Sequence, residues 1–179
     1  ATYAGATALA TGPGIRGNCT HEPSQLCGQA GANIMWAGML AHNDVCGVGR
    51  EQDWASHHLE HELSALYDCA HGAGLAVIVP AWMEYVLDHD VARFAKLATR
   101  VWGVPLDFEN PRATAKAGVE ALRGFWRALG LPGSFTELGA RREDIPKLLD
   151  QMQIDGRTDG HFVPLTREDC RKIYEAACR

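Results

Sequence analysis

Along most of the chain, apolar positions recur every three or four residues and rarely every two, which is the period of helices with one buried stripe. Residues 2–10 predict a short helix, followed by loop through a stretch rich in Gly, Ala, Thr and Pro that includes Gly12-Pro13-Gly14. From Ala30 the pattern sharpens. Ile34, Met35, Gly38, Met39 and Val45 fall at helical spacing up to the break at Gly47-Val48-Gly49. Asp53 reads as the N-cap of the next helix, with Ser56 and His57 in its first turn and Leu59, Leu63 and Leu66 as its apolar stripe. That helix is expected to end between Asp68 and Gly72. A second, more apolar helix is predicted over residues 74–87, kinked at Pro80.

The downstream half is punctuated just as clearly. Asp90 can cap a helix running to Trp102. Asn110 followed by Pro111 opens a helix to about residue 129, and Gly130 with Pro132 closes it. Residues 142–153 and 166–178 predict two more helices, the second opened by a capping box of Thr166 with Asp169. No segment alternates with period two, and no strand–helix repeat would build a parallel sheet. The fold class is therefore all-α, a helical bundle over residues 30–179, with residues 1–29 set apart as a segment of weaker pattern.

Composition narrows the function. The 179 residues are 46% hydrophobic and 22% charged, enough apolar material for one ordinary core. The net charge is −5 and no run of Lys or Arg exceeds two residues, so nucleic acid is not expected as a partner. No stretch approaches the roughly 20 apolar residues that span a bilayer, and the N-terminus lacks the basic and apolar blocks of a signal peptide. None of the six cysteines (Cys19, Cys27, Cys46, Cys69, Cys170, Cys178) forms a C-x-x-C pair. They read as reduced thiols of a cytoplasmic protein, with Cys69 a small packed residue.

Candidate chemistry concentrates in one place. Of eight histidines, His57, His58, His61 and His71 cluster within fifteen residues. His57 and His61 are four apart, so on a helix their rings share a face about 6 Å apart. His71 lies fourteen residues past His57, about 21 Å along an unbroken helix. One ion can touch both only if the chain reverses, and Asp68-Cys69-Ala70-His71-Gly72 offers that break. Neutral imidazole ligates Fe(II) and Zn(II) well. Capping and packing histidines remain the alternative. The same run also matches H-x-x-E-H, the pattern of a zinc hydrolase in which His57 and His61 hold zinc and Glu60 activates water. A third ligand would have to be distant, and Glu137 is the residue nominated.

The runs ANIMWAGMLAHN (32–43), DWASHHLEHELSALY (53–67) and HGAGLAVIVPA (71–81), continued by RVWG (100–103), LGLP (129–132) and IYEA (173–176), resemble the iron-containing (group III) alcohol dehydrogenases, in their butanol-dehydrogenase-like branch. The resemblance covers about residues 30–179 and implies the C-terminal helical domain of such an enzyme. It assigns His57 and His71 as metal ligands and His61 as a catalytic residue that helps move a proton. It further implies a divalent metal, Fe(II) and in some members Zn(II), acting as Lewis acid on a small alcohol or aldehyde, and hydride transfer with NAD(P) in the intact enzyme.

The chain departs from that pattern in two ways. The family's remaining ligands are an Asp and a His four residues later, and no D-x-x-x-H precedes His57: Gly17 and Gly38 stand four before His21 and His42. The Gly-Gly-Gly-Ser loop that holds the cofactor pyrophosphate is also missing. The expectation is that the N-terminal cofactor-binding half lies outside this chain, that the isolated chain is inactive, and that an uncovered apolar face promotes association between copies. A non-catalytic helical fragment is the remaining reading. Elsewhere, the five tryptophans read as core packing, His89 and His161 as surface, and His58 and Glu60 as solvent-facing neighbours, with hydrogen bonding to the ligand histidines as their alternative role.

Overall fold

The most apolar stretch of the chain becomes the hub of the fold. The structure, a computed structural model, describes residues 25–179; the helix expected over residues 2–10 lies outside them. The described helices are α1 (Gln25–His42), α2 (Ala55–Tyr67), α3 (His71–Val86), α4 (Val91–Trp102), α5 (Pro111–Ala128), α6 (Phe135–Leu138), α7 (Ile145–Gln151) and α8 (Arg167–Ala177). Helix α3 is buried on nearly every side, from Gly72 through Val86, and packs against α2, α5, α6 and α8. A helix apolar all round belongs in a core, and this one is wrapped by amphipathic neighbours. Among the described residues, extended pairing is confined to one antiparallel bridge between Asp159 and Leu165. No helix of these is long and apolar enough to cross a membrane.

Local capping chemistry sets most boundaries. Asp90 accepts a hydrogen bond from the Arg93 backbone N–H at 3.0 Å and starts α4. Asn110 does the same for Ala113 at 3.2 Å, with Pro111 just inside α5. Thr166 and Asp169 form the reciprocal capping box of α8. Close approach matters between α4 and α5: a Cβ on Gly118 would stand 2.9 Å from Ala98 Cα, so glycine lets these helices touch.

Several expectations need correction. Helix α1 begins at Gln25, upstream of Ala30, with Gly28 and Gly31 inside it. Glycine costs a helix about 1 kcal/mol but removes no hydrogen bond, so it punctuates less firmly than proline. Residues 142–153 split into a 3₁₀ turn, Arg142–Asp144, and α7, because Pro146 suits a first helical turn and no other. The tryptophans do not all pack inside. Trp126 is buried and Trp82 and Trp102 lie against the core, whereas Trp36 and Trp54 are 63% and 40% exposed. Among the described residues Cys46, Cys69, Cys170 and Cys178 are free thiols.

Candidate metal centre

The site is built where α2 hands over to α3. Leu59 and Leu63, both fully buried, fix the rotation of α2 by pointing into the core. That rotation sends His57 and His61 to the adjoining face, their ring centroids 6.4 Å apart. At Asp68 the backbone enters the left-handed region (φ 51°), and its N–H closes the last turn onto Ser64 O. Asp tolerates this conformation better than most non-glycine residues. After Cys69 and Ala70 the chain turns back, and His71 becomes the first residue of α3. The reversal brings the His71 ring to 5.4 Å from that of His57 and 5.3 Å from that of His61. Three imidazoles that the sequence spreads over fifteen positions thus stand together.

Their electrostatics follow from that crowding. His57 is 9% exposed. Burial, followed by the neighbouring His71, His61 and His58, holds its pKa down at about 4. His61 is exposed at its edge, yet its pKa is also lowered, first by partial burial and then by His71 and His58. Both rings are neutral at pH 7, which is the form that binds a cation.

Glu60 is the residue that reading the sequence misplaced. It is completely buried, not solvent-facing. One carboxylate oxygen, Oε2, meets His71 Nδ1, and the other, Oε1, accepts from the Ser64 hydroxyl one turn along α2. Burial pushes its pKa up, opposed by the hydrogen bonds from Ser64 and His71. The slot it occupies exists because residue 74 is glycine: a Cβ there would fall 2.7 Å from Glu60 Cγ and 2.8 Å from Cδ. Donor atoms of Glu60, His61 and His71 lie within 4.8 Å of one another. Both Glu60 oxygens also hydrogen-bond side chains, and His57 stands outside this group, its ring 5.4 Å from that of His71. His58, by contrast, is exposed and pairs with Asp159 at 2.7 Å.

Two cavities flank the cluster. A broad cleft of about 1660 Å³ reaches His57 and is lined by the apolar Trp54, Val79, Trp82, Met83 and Phe162 and by the basic Arg93, Lys96 and Arg100, among others. A smaller cavity of about 320 Å³ is lined by His58, His61, Glu62, Arg157 and Asp159. His57 and His61 therefore front different spaces. The wall of the large cleft depends on Asp53, which is not the N-cap that the sequence predicts: α2 starts from Trp54, with no side-chain cap, and Asp53 stands one residue before it. Its Oδ1 accepts from Ala55 N at 2.8 Å, while Oδ2 accepts from the backbone N–H groups of His161 (3.0 Å) and Phe162 (2.7 Å). That anchors a loop more than a hundred residues away and seats the Phe162 ring against His89, Phe94 and Trp82. His161 and His89 are on the surface, as expected, but they border the cleft. A motif would not have revealed Phe162; Glu60 left a trace in its i, i+4 relation to Ser64.

Comparison with known proteins gives the family of the chain. Residues 27–178 match the profile of the Fe-containing alcohol dehydrogenase family, C-terminal. NADH-dependent butanol dehydrogenase A of Clostridium acetobutylicum is 35% identical over 149 residues, which is 82% of this chain and 38% of that protein. The NADPH-dependent aldehyde reductase YqhD of Escherichia coli is 36% identical over 147 residues, again 82% of this chain and 38% of the relative. The crystal structure of NADH-dependent butanol dehydrogenase A from Thermotoga maritima superimposes with a TM-score of 0.81 at 34% identity, covering 99% of this chain and 45% of that one. The chain spans about two fifths of the length of the curated relatives it matches. With its helical architecture and this match over nearly all described residues, the chain belongs to the iron-containing alcohol dehydrogenase family and corresponds to that family's C-terminal region.

Proposed function

We propose that this chain is the metal- and substrate-binding half of a NAD(P)-dependent alcohol or aldehyde oxidoreductase, with His57 and His71 as metal ligands and His61 as the proton-handling residue. The observation that carries the reading is the convergence of these three rings through the reversal at Asp68–Ala70. The donor set fits a divalent metal such as Fe(II) or Zn(II): His57 is neutral well below pH 7, and the Nδ1 side of His71 is already engaged by a carboxylate. When bound, such a metal supplies Lewis acidity at the substrate oxygen, and NAD(P) exchanges hydride with the substrate carbon.

The chain's own residues account for the rest. Trp54, its ring 5.0 Å from that of His57, joins Trp82, Met83 and Phe162 in an apolar wall that takes the alkyl part of a small alcohol beside His57. His61, kept neutral by its surroundings and 6.4 Å ring to ring from His57, fronts the smaller cavity and on this reading helps move the hydroxyl proton between the site and solvent without itself lining the large cleft. Its exposed edge on the smaller cavity gives that proton a route to solvent. The remaining ligands and the cofactor-binding surface belong, on this reading, to a partner half of the enzyme.

The hydrolase alternative requires Glu60 to hold an attacking water. A carboxylate with no exposed surface, both of whose oxygens accept from side chains, is unsuited to that task. Glu137 serves its own loop, accepting from Gly133 N at 2.7 Å.

The test has two parts. Titration of the purified chain with Co(II) should give weak absorbance bands that vanish in His57→Ala and in His71→Ala. Addition of Fe(II), NADPH and butyraldehyde should give no turnover from the chain alone. Unchanged Co(II) spectra in both variants would overturn the ligand assignment, and sustained, chelator-sensitive oxidation of NADPH would overturn the need for a second half.

A further inference from the structure

We propose that Glu60 is a positioning residue of the centre: it accepts the Nδ1 proton of His71, fixes that ring's tautomer and orientation, and so presents the Nε2 lone pair to the metal. The inference rests on the assignment of His71 as a ligand and adds what makes it a competent one. An ionised carboxylate is an acceptor only, so with Glu60 charged the hydrogen bond between its Oε2 and His71 Nδ1 requires the proton on Nδ1. In the neutral ring, Nε2 is then the nitrogen that carries the lone pair. Without such a partner nothing would hold the proton on that nitrogen, and the ring would have to change tautomer before binding a cation through Nε2.

Three features show that this contact is built into the fold. Glu60 sits in a slot with no exposed surface, where a carboxylate without partners would be strongly disfavoured. Its second oxygen is held by Ser64, so the carboxylate cannot swing away from His71 without leaving a buried acceptor unpaired. Gly74, one turn into α3, removes the side chain that would collide with it. Residues 60 and 64 on one helix and 71 and 74 on the next therefore form one unit: carboxylate, hydroxyl, imidazole and the space that admits them. Because α2 contributes both His57 and Glu60, and α3 contributes His71 and Gly74, the contact also ties the relative placement of the two ligands to the packing of the two helices.

The experiment uses the whole chain and reads two quantities. In the metal-free protein, ¹⁵N-detected imidazole spectra report the His71 tautomer. Co(II) titration reports affinity. The unaltered chain should show His71 protonated at Nδ1. Glu60→Leu, which keeps bulk and removes the acceptor, should move the proton to Nε2 and weaken Co(II) binding by about 10- to 100-fold. Glu60→Gln, whose side-chain carbonyl can still accept, should keep the Nδ1 tautomer and lose less than about tenfold; it carries the test if Glu60→Leu does not fold. An Nε2-protonated His71 in the unaltered chain overturns the proposal, as does a folded Glu60→Leu with unchanged tautomer and affinity. The two readings separate cleanly. Binding lost in His71→Ala but kept in Glu60→Leu removes the positioning role alone, whereas binding kept in His71→Ala removes the metal assignment and the positioning role with it.

Discussion

Helices α1 and α2 have the same kind of sequence pattern and opposite fates. In α2, Leu59 and Leu63 disappear completely into the core. In α1, Met35 and Trp36 remain 74% and 63% exposed, and Met39 is exposed as well. Both patterns correctly specify a helix, since local period is enough for that. Burial needs something more, namely a second surface in the right place. For α2 that surface is α3, its successor along the chain after a three-residue turn. For α1 the described residues supply no cover at this face. On the function proposed above, the cover would come from the cofactor-binding half.

Truncating a core residue should separate the two helices most strongly. Leu63→Ala should cost about 2–5 kcal/mol in urea denaturation, through lost transfer energy and the cavity left behind. A loss below about 1 kcal/mol would mean that the α2–α3 seam is not the hub it resembles here. A smaller effect should come from acid. His57 is held at about pKa 4 in the folded chain against 6.5 ordinarily. Between those values the unfolded chain binds the proton and the folded chain does not, so stability is intact above about pH 6.5 and declines as pH falls toward 4. The decline is at most about 3 kcal/mol. Urea midpoints at pH 7 and pH 4.5 for the unaltered chain and His57→Asn measure it; equal acid sensitivity in the two would remove His57 as the cause. The smallest effect on stability belongs to α1. Trp36→Ser should change unfolding free energy by less than about 0.5 kcal/mol while lowering the apparent mass in light scattering, because it breaks an exposed apolar patch. A large stability loss there would show that α1 is covered after all.

Much of the fold was legible because its instructions are short-range. The caps at Asp90, Asn110 and Thr166 act over three residues, and each appears where the residue types predict it. The histidine cluster was legible in part. Spacing placed His57 and His61 on one face and called for a reversal before His71 if both His57 and His71 were to touch one ion, and the helix ends at Tyr67, one residue ahead of the expected stretch. Glu60 was misjudged because a carboxylate set among His58, His61 and Glu62 carries no local signal of burial. Its burial depends on Gly74 across the turn, and an isolated helix offers no reason to hide a carboxylate. Phe162 and Asp53 illustrate the same limit at longer range, since their link joins positions over a hundred residues apart.

The amino-acid order by itself determined the helices, their caps, and which imidazoles were available to meet, since each of these is settled by hydrogen bonds and side-chain period within one or two turns. Tertiary structure alone decided which apolar faces were covered, which carboxylate was drawn inside, and which walls the cleft acquired. Those outcomes turn on the free energy of removing groups from water, and that depends on surfaces the chain brings together only by folding.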